Sequence, residues 1–252
     1  MTLNYAYTTN LGLVRGKNED NLWCSGTYLP ENHLSESPAT GQIRLDIENE
    51  RPSASFCIFD GMGGEKRGET ASYLAASCFD QYDNENTAES EKSLVYACKA
   101  MNRAICDFAD EHRVGSMGST AAMIRFRHSG LCADICNIGD SRIYIIRDGM
   151  IKLLSVDHVL HHPFTGTRLL TQSLGIDEKQ MIIEPYTAEI SVNTGDTFVI
   201  CSDGLTDCCS NKVIQELVDH SADCLEAVTS LEKAALEQGA PDNITVIVCQ
   251  IS

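Results

Sequence analysis

The sequence predicts an α+β fold in which antiparallel sheets are layered against helices. Two observations favour this class: strand-like runs follow one another through hairpin signals, and long apolar stripes at helical spacing separate the strand-rich blocks. Consecutive hairpins produce antiparallel sheets, and each amphipathic helix must bury its apolar stripe against a sheet. The pattern therefore indicates a layered sandwich rather than alternating βαβ units.

The strand prediction rests on β-branched residues that lie between turn signals. The segment LCADICNIGDSRIYIIRDGMIKLLS, residues 131–155, contains apolar runs on both sides of Asp148-Gly149, a dipeptide typical of a two-residue hairpin turn. Ser129-Gly130 predicts a second turn just before this segment. A further strand is expected in DTFVICSDG, residues 196–204.

Two helical regions are predicted from apolar periodicity. Apolar residues at three- and four-residue spacing indicate a helix from about Ser90 to His112. A similar stripe runs from Val213 to Ala235 and stops before Gly239, a residue typical of a helix C-terminus. Both regions are expected to cover a sheet with their apolar faces.

The chain is expected to form one domain over residues 1–252. Its 252 residues and 43% hydrophobic content can bury one large core, and no linker-like composition interrupts them. Residues 25–55 carry three prolines, several serines and scattered charge, which predicts a surface insertion.

Net charge and cysteine usage exclude several classes of function. A formal net charge of −17, from 19 basic and 36 acidic residues, disfavours binding to nucleic acid or to an anionic membrane surface. No apolar run is long enough to span a bilayer, and the first residues lack the pattern of a signal peptide. The twelve cysteines include no CxxC pair and lie mostly in apolar stretches, which predicts reduced, buried thiols. A cytoplasmic protein is expected.

Several carboxylates lie where apolar strands meet loops. One such aspartate is ordinary turn chemistry, but a cluster of them would repel unless cations neutralise it. Oxygen ligands without sulfur suit Mg²⁺ or Mn²⁺, and one aspartate can bridge two ions. The residues at strand ends are Asp60, Asp140, Asp203 and Asp242, and RGKNED near the N-terminus adds Arg15, Glu19 and Asp20.

Six motifs together resemble one family. RGKNED, DGMGG, MGSTAAMI, IGDSRIY, SDGLTD and PDNITVIV occur in the order and approximate spacing of the metal-dependent serine/threonine protein phosphatases, the PPM or type 2C family, and most closely of its bacterial branch. The resemblance extends from about Gly12 to Ile251. It implies a four-layer α-β-β-α sandwich with two central antiparallel sheets flanked by helices.

The resemblance also implies a first metal site. Asp60 matches the ligand that bridges two ions, and Gly61 matches the residue that offers its carbonyl oxygen. Asp203 and Asp242 match the remaining ligands of the first ion. The implied cofactors are two Mn²⁺ or Mg²⁺ ions, with a third, weaker site.

Further matched residues hold the second and third ions or the substrate. Glu19 and Asp20 match acids that hold the second ion directly or through water. Asp140 matches the third, weaker position, which it shares with Asp203. Arg15 matches the arginine that binds the substrate phosphate, and a guanidinium fork suits two phosphate oxygens.

The implied activity is hydrolysis of phosphoserine and phosphothreonine in proteins by a water or hydroxide activated between two ions. Eukaryotic members carry a histidine at the position of Met62, and methionine cannot donate a proton. A metal-bound water and His158 are alternative general acids. Residues 157–175 correspond to the flap beside the family's active site and are shorter than usual.

Two other functions compete with this interpretation. Cys136 and Arg142 have the Cys-x5-Arg spacing of cysteine-dependent phosphatases, although Asp140 would lie inside the loop that should bind an anion. A catalytically silent phosphoprotein-binding module on the same fold is the other alternative. The expected partners are phosphorylated proteins and a Ser/Thr kinase, and the chain is expected to be a monomer.

Overall fold

The computed structural model describes residues 1–45, 53–63, 67–85, 91–128, 131–161 and 168–252. These residues form fifteen strands and five helices. The strands are β1 (Thr2–Asn10), β2 (Asp20–Cys24), β3 (Thr27–Tyr28), β4 (Glu36–Arg44), β5 (Ser53–Met62), β6 (Gly118–Ser119), β7 (Ala121–Arg127), β8 (Cys132–Ile138), β9 (Arg142–Arg147), β10 (Met150–Leu153), β11 (Val159–His161), β12 (Arg168–Leu170), β13 (Tyr186–Ser191), β14 (Thr197–Cys201) and β15 (Ile244–Ile251). The helices are α1 (Gly68–Glu85), α2 (Glu91–His112), α3 (Asp203–Thr206), α4 (Asn211–Asp219) and α5 (Cys224–Glu237).

Most strands belong to two antiparallel sheets. The first sheet has the order β10-β9-β14-β15-β1-β4. The second has the order β13-β8-β7-β5-β2-β3, and the short strand β6 extends it beside β5. Strands β11 and β12 form a separate hairpin. All strand pairings among the described residues are antiparallel, as the hairpin signals predict.

Three apolar clusters define four layers. The central cluster lies between the two sheets and includes Phe56, Phe126 and Phe198, which contact edge to face at centroid distances of 5.9 and 5.0 Å. A second cluster packs α1 and α2 on the outer face of the second sheet. A third packs α4 and α5 on the outer face of the first sheet. The predicted four-layer α-β-β-α sandwich is confirmed.

The observed helices agree with the helices predicted from apolar periodicity except at two places. Helix α2 covers the predicted range, and its buried stripe includes Leu94, Met101 and Ile105. The stripe predicted from residues 213 to 235 is divided into α4 and α5, because Asp223 caps a new helix by accepting a hydrogen bond from the Glu226 N–H at 2.9 Å. Helix α1 was not predicted from the apolar periodicity.

The predicted hairpin at Asp148-Gly149 joins β9 and β10. Both residues have positive φ, 52° and 66°, as a two-residue turn that follows strand twist requires. Strands β7 and β8 also form a hairpin, and the predicted Ser129-Gly130 turn between them lies outside the described residues.

Two predicted surface segments are described in part. Residues 25–55 include β3 and the edge strand β4, whose side chains are mostly exposed, while residues 46–52 lie outside the described range. Residues 157–175 include β11 and β12, while residues 162–167 lie outside the described range.

All twelve cysteines are free thiols in the described part of the chain, in agreement with the predicted reduced state. Among the helices that the structure describes, none combines the length and the apolar character that crossing a lipid bilayer requires.

Candidate active site

A cavity of about 480 Å³ opens where strand ends of both sheets meet their loops. Predicted site residues from five separate parts of the chain contribute to its lining. The lining residues are Arg15, Glu19, Asp60, Gly61, Met62, Gly63, Thr120, Asp140, Arg168, Leu169, Leu170, Asp203, Asp207 and Asp242. Of the predicted site residues, Asp20 lies behind this lining and the others line the cavity.

Two aspartates are direct partners on neighbouring strands, one in the lining of the cavity and one behind it. Asp20 on β2 is the direct antiparallel partner of Asp60 on β5. Like charges in directly opposed positions destabilise a sheet. Burial raises the pKa of Asp20 to about 7, and burial followed by repulsion from Asp20 and Asp203 raises the pKa of Asp60 well above its ordinary value. Such a pair is stable as two anions only if cations neutralise it.

Hydrogen bonds fix the backbone and side chains of this pair. The Ser202 hydroxyl donates to the Asp20 carboxylate at 2.8 Å. The Thr120 hydroxyl oxygen accepts the Asp60 N–H at 3.0 Å, and the Thr120 N–H donates to the Asp60 carbonyl oxygen at 2.8 Å. These three bonds join the Asp20 carboxylate and the Asp60 backbone to neighbouring strand ends, so the positions of both residues depend on the register of the sheets.

The glycine that follows Asp60 is required by close packing. A Cβ atom on Gly61 would lie 2.1 Å from the Gly68 carbonyl oxygen and 2.5 Å from the Glu19 carbonyl oxygen. The Gly61 N–H donates to the Glu19 carbonyl oxygen at 2.9 Å. Any side chain at position 61 would therefore separate β5 from the segment that carries Glu19.

Asp203 enters the cavity from the first sheet. It is the first residue of α3 and is separated from the end of β14 only by Ser202, the N-cap of the helix. Burial, then repulsion from Asp140 and Asp242, raises the pKa of Asp203 to about 7. The next residue, Gly204, packs so closely that a Cβ atom there would lie 1.9 Å from the Asn243 carbonyl oxygen. This contact holds the Asp203 and Asp242 segments together.

Asn243 positions the N-terminal acidic segment. Its side-chain oxygen accepts the Glu19 N–H at 2.8 Å, and its amide nitrogen donates to the carbonyl oxygens of Leu11 and Lys17, both at 2.9 Å. Burial, then repulsion from Glu69, raises the pKa of Glu19. The Asn243 side chain thus connects the segment before β2 with the residues just before β15.

Two arginines bind predicted ligands in this structure. The Arg15 guanidinium donates to the Asp242 carboxylate at 2.6 Å, and this bond raises the pKa of Arg15. Arg168 donates to the Asp140 carboxylate at 2.5 Å and to the Asp207 carboxylate at 2.6 Å. These pairs partly neutralise a cavity whose other charged lining residues are all acids.

The donor chemistry fits hard divalent cations. The acidic lining residues supply oxygen atoms only, and burial raises the pKa of several of them. No three His, Cys, Asp or Glu side chains within the described residues are already grouped closely enough to hold an ion. Two of the predicted ligands, Asp242 and Asp140, are instead paired with Arg15 and Arg168. Ion binding would therefore require side-chain movement.

Several residues that shape the cavity were not predicted from the sequence. Thr120 and Asn243 lie inside quoted motifs, MGST and PDN, so their spacing could have identified them. Asp207 lies in SDGLTD in the same way. Arg168 belongs to none of the six motifs, and only the placement of β12 brings it to the cavity.

His158, one of the two candidate general acids, makes structural hydrogen bonds. The His158 Nδ1 atom accepts a hydrogen bond from the Gly139 backbone N–H at 3.1 Å. The His158 backbone N–H donates to the Gly139 carbonyl oxygen at 2.9 Å. Burial lowers the pKa of His158. His158 is not among the described residues that line the cavity, and its contacts position the segment that carries Asp140.

The geometry does not support the cysteine-dependent alternative. Cys136 is fully buried within β8, with its sulfur 3.7 Å from that of Cys98. Arg142 donates to the Asp157 carboxylate at 2.7 Å and to the Tyr144 hydroxyl at 3.2 Å. A buried thiol with an arginine committed elsewhere cannot form an anion-binding loop.

Known proteins share both the sequence pattern and the fold. The family model described as "Protein phosphatase 2C" matches residues 42–239. The serine/threonine protein phosphatase PstP of Mycobacterium tuberculosis is 27% identical over the whole chain, and the chain spans 45% of the length of PstP. The serine/threonine phosphatase stp of Listeria monocytogenes is 26% identical over 97% of this chain and 94% of its own.

A solved structure extends the comparison to three dimensions. The catalytic domain of PstP in complex with two manganese ions superposes with a TM-score of 0.77 at 25% identity, and the match covers 100% of both chains. The matched family model spans well over half of the sequence, and the matched structure has the same layered fold. The chain therefore belongs to the protein phosphatase 2C family.

Proposed function

We propose that this chain is a metal-dependent protein-serine/threonine phosphatase that hydrolyses phosphate monoesters at the cavity described above. The observation that carries the proposal is the direct opposition of Asp20 and Asp60 beside further carboxylates and an arginine. The carboxylates of this site repel one another unless cations neutralise them. Divalent cations bound there could in turn bind phosphate oxygens. Membership in the family and similarity to proteins named serine/threonine phosphatases support the proposal.

We propose Asp60, the Gly61 carbonyl, Asp203 and Asp242 as ligands of the first Mn²⁺ or Mg²⁺ ion. Asp60 would also hold the second ion, together with Glu19 and Asp20, which would contact it directly or through water. Asp140 belongs to a third, weaker site. The manganese complex of the PstP catalytic domain supports an assignment of at least two ions. When bound, the ions would supply a water of lowered pKa and neutralise charge on the phosphate oxygens.

The chain's own residues orient the substrate. Arg15 is about half exposed at the mouth of the cavity, so its guanidinium can receive phosphate oxygens from solvent. Its present partner, Asp242, is a proposed metal ligand, so ion binding would free Arg15 to bind phosphate. Thr120 and Asn243 hold the backbone of the ligand segments through the contacts described above, which keeps the site's geometry independent of the substrate.

The test is Mn²⁺-dependent release of inorganic phosphate from para-nitrophenyl phosphate and from a phosphothreonine peptide. We expect turnover with Mn²⁺, its loss in excess EDTA, and its recovery when Mn²⁺ is restored. Cys136→Ala is the matched test of the cysteine alternative, and it should retain turnover because Cys136 is enclosed in the core.

Two results would reject this function. Turnover that persists in EDTA and disappears in Cys136→Ala would transfer the chemistry to the cysteine. Absence of turnover in the presence of Mn²⁺, with phosphopeptide binding retained, would identify a catalytically silent binding module on the same fold.

The proposal also covers the setting of the activity. Phosphoserine and phosphothreonine are products of protein kinases, so a Ser/Thr kinase must supply the substrate protein. A cytoplasmic location is supported by the twelve free thiols, which a reducing compartment preserves. We propose a monomer, since a net charge of −17 keeps copies of the chain apart at low ionic strength.

A further inference from the structure

Arg168 lies among three carboxylates on one side of the cavity. Its guanidinium is 2.5 Å from the Asp140 carboxylate, 2.6 Å from the Asp207 carboxylate and 3.9 Å from the Asp203 carboxylate. The Arg168 side chain is 28% exposed and that of Asp140 only 9%, so solvent screens the closest pair weakly. This guanidinium thus lies within 4 Å of both proposed ligands of the third ion.

The backbone around Arg168 is held by pairing rather than by its ion pairs. Arg168 is the first residue of β12 and pairs with His161 on β11. The Thr171 N–H, just beyond β12, donates to the His158 carbonyl oxygen at 2.8 Å. His158 in turn contacts Gly139, the residue before Asp140. The β11–β12 hairpin therefore fixes the backbone position from which the Arg168 guanidinium reaches Asp140.

A guanidinium and a divalent ion cannot share this position without a penalty. Arg168 occupies one oxygen of Asp140 and lies within 4 Å of Asp203, so an ion between these two aspartates would face a positive charge at close range. Binding of that ion must therefore displace Arg168 from Asp140. The free energy of breaking the Arg168–Asp140 pair then reduces the apparent affinity for the ion.

We propose that Arg168 is an intramolecular cation that competes with a third divalent ion for Asp140, and so sets the metal concentration at which a third ion binds. This inference rests on the proposed function, because it takes Asp140 and Asp203 as ligands. Asp207 anchors the arginine, because its carboxylate accepts a hydrogen bond from one guanidinium nitrogen. Asp207 is about half exposed and is not a proposed metal ligand.

The experiment counts bound ions rather than turnover. Mn²⁺ is titrated into the metal-free 252-residue chain, and free Mn²⁺ is followed by its solution electron paramagnetic resonance signal. We expect two tight ions and one weak ion in the unmodified chain. In Arg168→Met the third ion should bind about five- to tenfold more tightly, the range of a moderate coupling between sites. Asp207→Asn should give a smaller gain, because Arg168 loses its anchor and keeps its charge.

Matched variants separate a local effect from a change in total charge. Arg103→Met removes one positive charge from the exposed face of α2, where Arg103 pairs with Asp107, and should leave the third ion's affinity unchanged. Asp140→Asn combined with Arg168→Met should remove the third ion and keep the two tight ones.

Three outcomes would overturn the inference. Equal affinity for the third ion in the unmodified chain and in Arg168→Met, with two tight ions retained, would reject competition but not the proposed function. An equal gain in Arg103→Met would assign the effect to net charge. Failure of the unmodified chain to bind any Mn²⁺ would reject both the inference and the proposed function.

Discussion

Replacing Asp60 by Asn is expected to lower kcat/KM for para-nitrophenyl phosphate by about 10³-fold or more, equivalent to about 4 kcal/mol of transition-state stabilisation. Asp60 is the proposed bridge between two ions, and it lies opposite Asp20 in the sheet register. An amide has one oxygen and no charge, so it cannot bridge two cations as a carboxylate does. The loss should appear in kcat as well as in KM.

The same variant should be more stable than the unmodified chain when metal is absent. Burial and neighbouring carboxylates raise the pKa of Asp60 in the folded state, so ionisation of Asp60 opposes folding as the pH rises. Asn does not titrate, and its stability advantage should therefore grow from pH 5 to pH 8. Thermal unfolding in EDTA at the two pH values measures this difference, and it shows whether lost activity reflects lost structure.

Asp148→Asn is the matched control for this substitution. Asp148 is exposed in the turn between β9 and β10 with φ of 52°, a conformation that Asn accepts readily. It removes the same charge far from the cavity lining and should leave kcat/KM unchanged. If Asp60→Asn retained full turnover with Mn²⁺, the assignment of Asp60 as the bridging ligand would be wrong.

Removal of the Arg15 guanidinium is expected to have the second-largest effect. Arg15→Ala should lower kcat/KM by about 10²-fold, the scale observed when one preorganised donor to a reacting oxyanion is lost. Arg15→Lys should recover only part of the activity, because an ammonium group does not reproduce two parallel N–H bonds to phosphate oxygens.

Inhibition by inorganic phosphate distinguishes substrate binding from a structural role of Arg15. The inhibition constant should rise in Arg15→Ala, while the affinity for the two tight Mn²⁺ ions should not fall. In the present structure Arg15 binds Asp242, so its removal frees a proposed ligand rather than disrupting one. Arg103→Ala is the control for lost charge. An unchanged inhibition constant in Arg15→Ala would show that another group binds the phosphate.

The sequence contained most of the fold because its signals are local. The Asp148-Gly149 turn and the apolar stripe of α2 depend on neighbouring residues, and both were predicted where the structure has them. Helix α1 was not identified, since its buried positions include small alanines such as Ala71 and Ala75 that give a weak periodic signal. The break between α4 and α5 could have been found from Asp223 and Glu226, which have the spacing of an N-terminal capping box.

The candidate site was predictable to the extent that its residues lie in motifs at strand ends. Asp60 lies near the end of β5, Asp203 follows β14 and Asp242 precedes β15, and the sheets bring those strand ends to one cavity. The direct pairing of Asp20 with Asp60 could not be inferred, because the register between β2 and β5 is a property of the assembled sheet. Arg168 also escaped prediction, since its partners lie 28 to 39 residues away in sequence.

The central claim is that carboxylates from both sheets form one site that is completed by divalent cations. Its most direct test is a crystal structure of the full chain grown with Mn²⁺, with anomalous scattering measured on both sides of the manganese absorption edge. We predict two strong anomalous peaks about 3.5 to 4 Å apart with Asp60 between them, and with Asp203 and Asp242 on the first ion. A map without anomalous density beside Asp60, with Arg15 still bound to Asp242, would contradict the account.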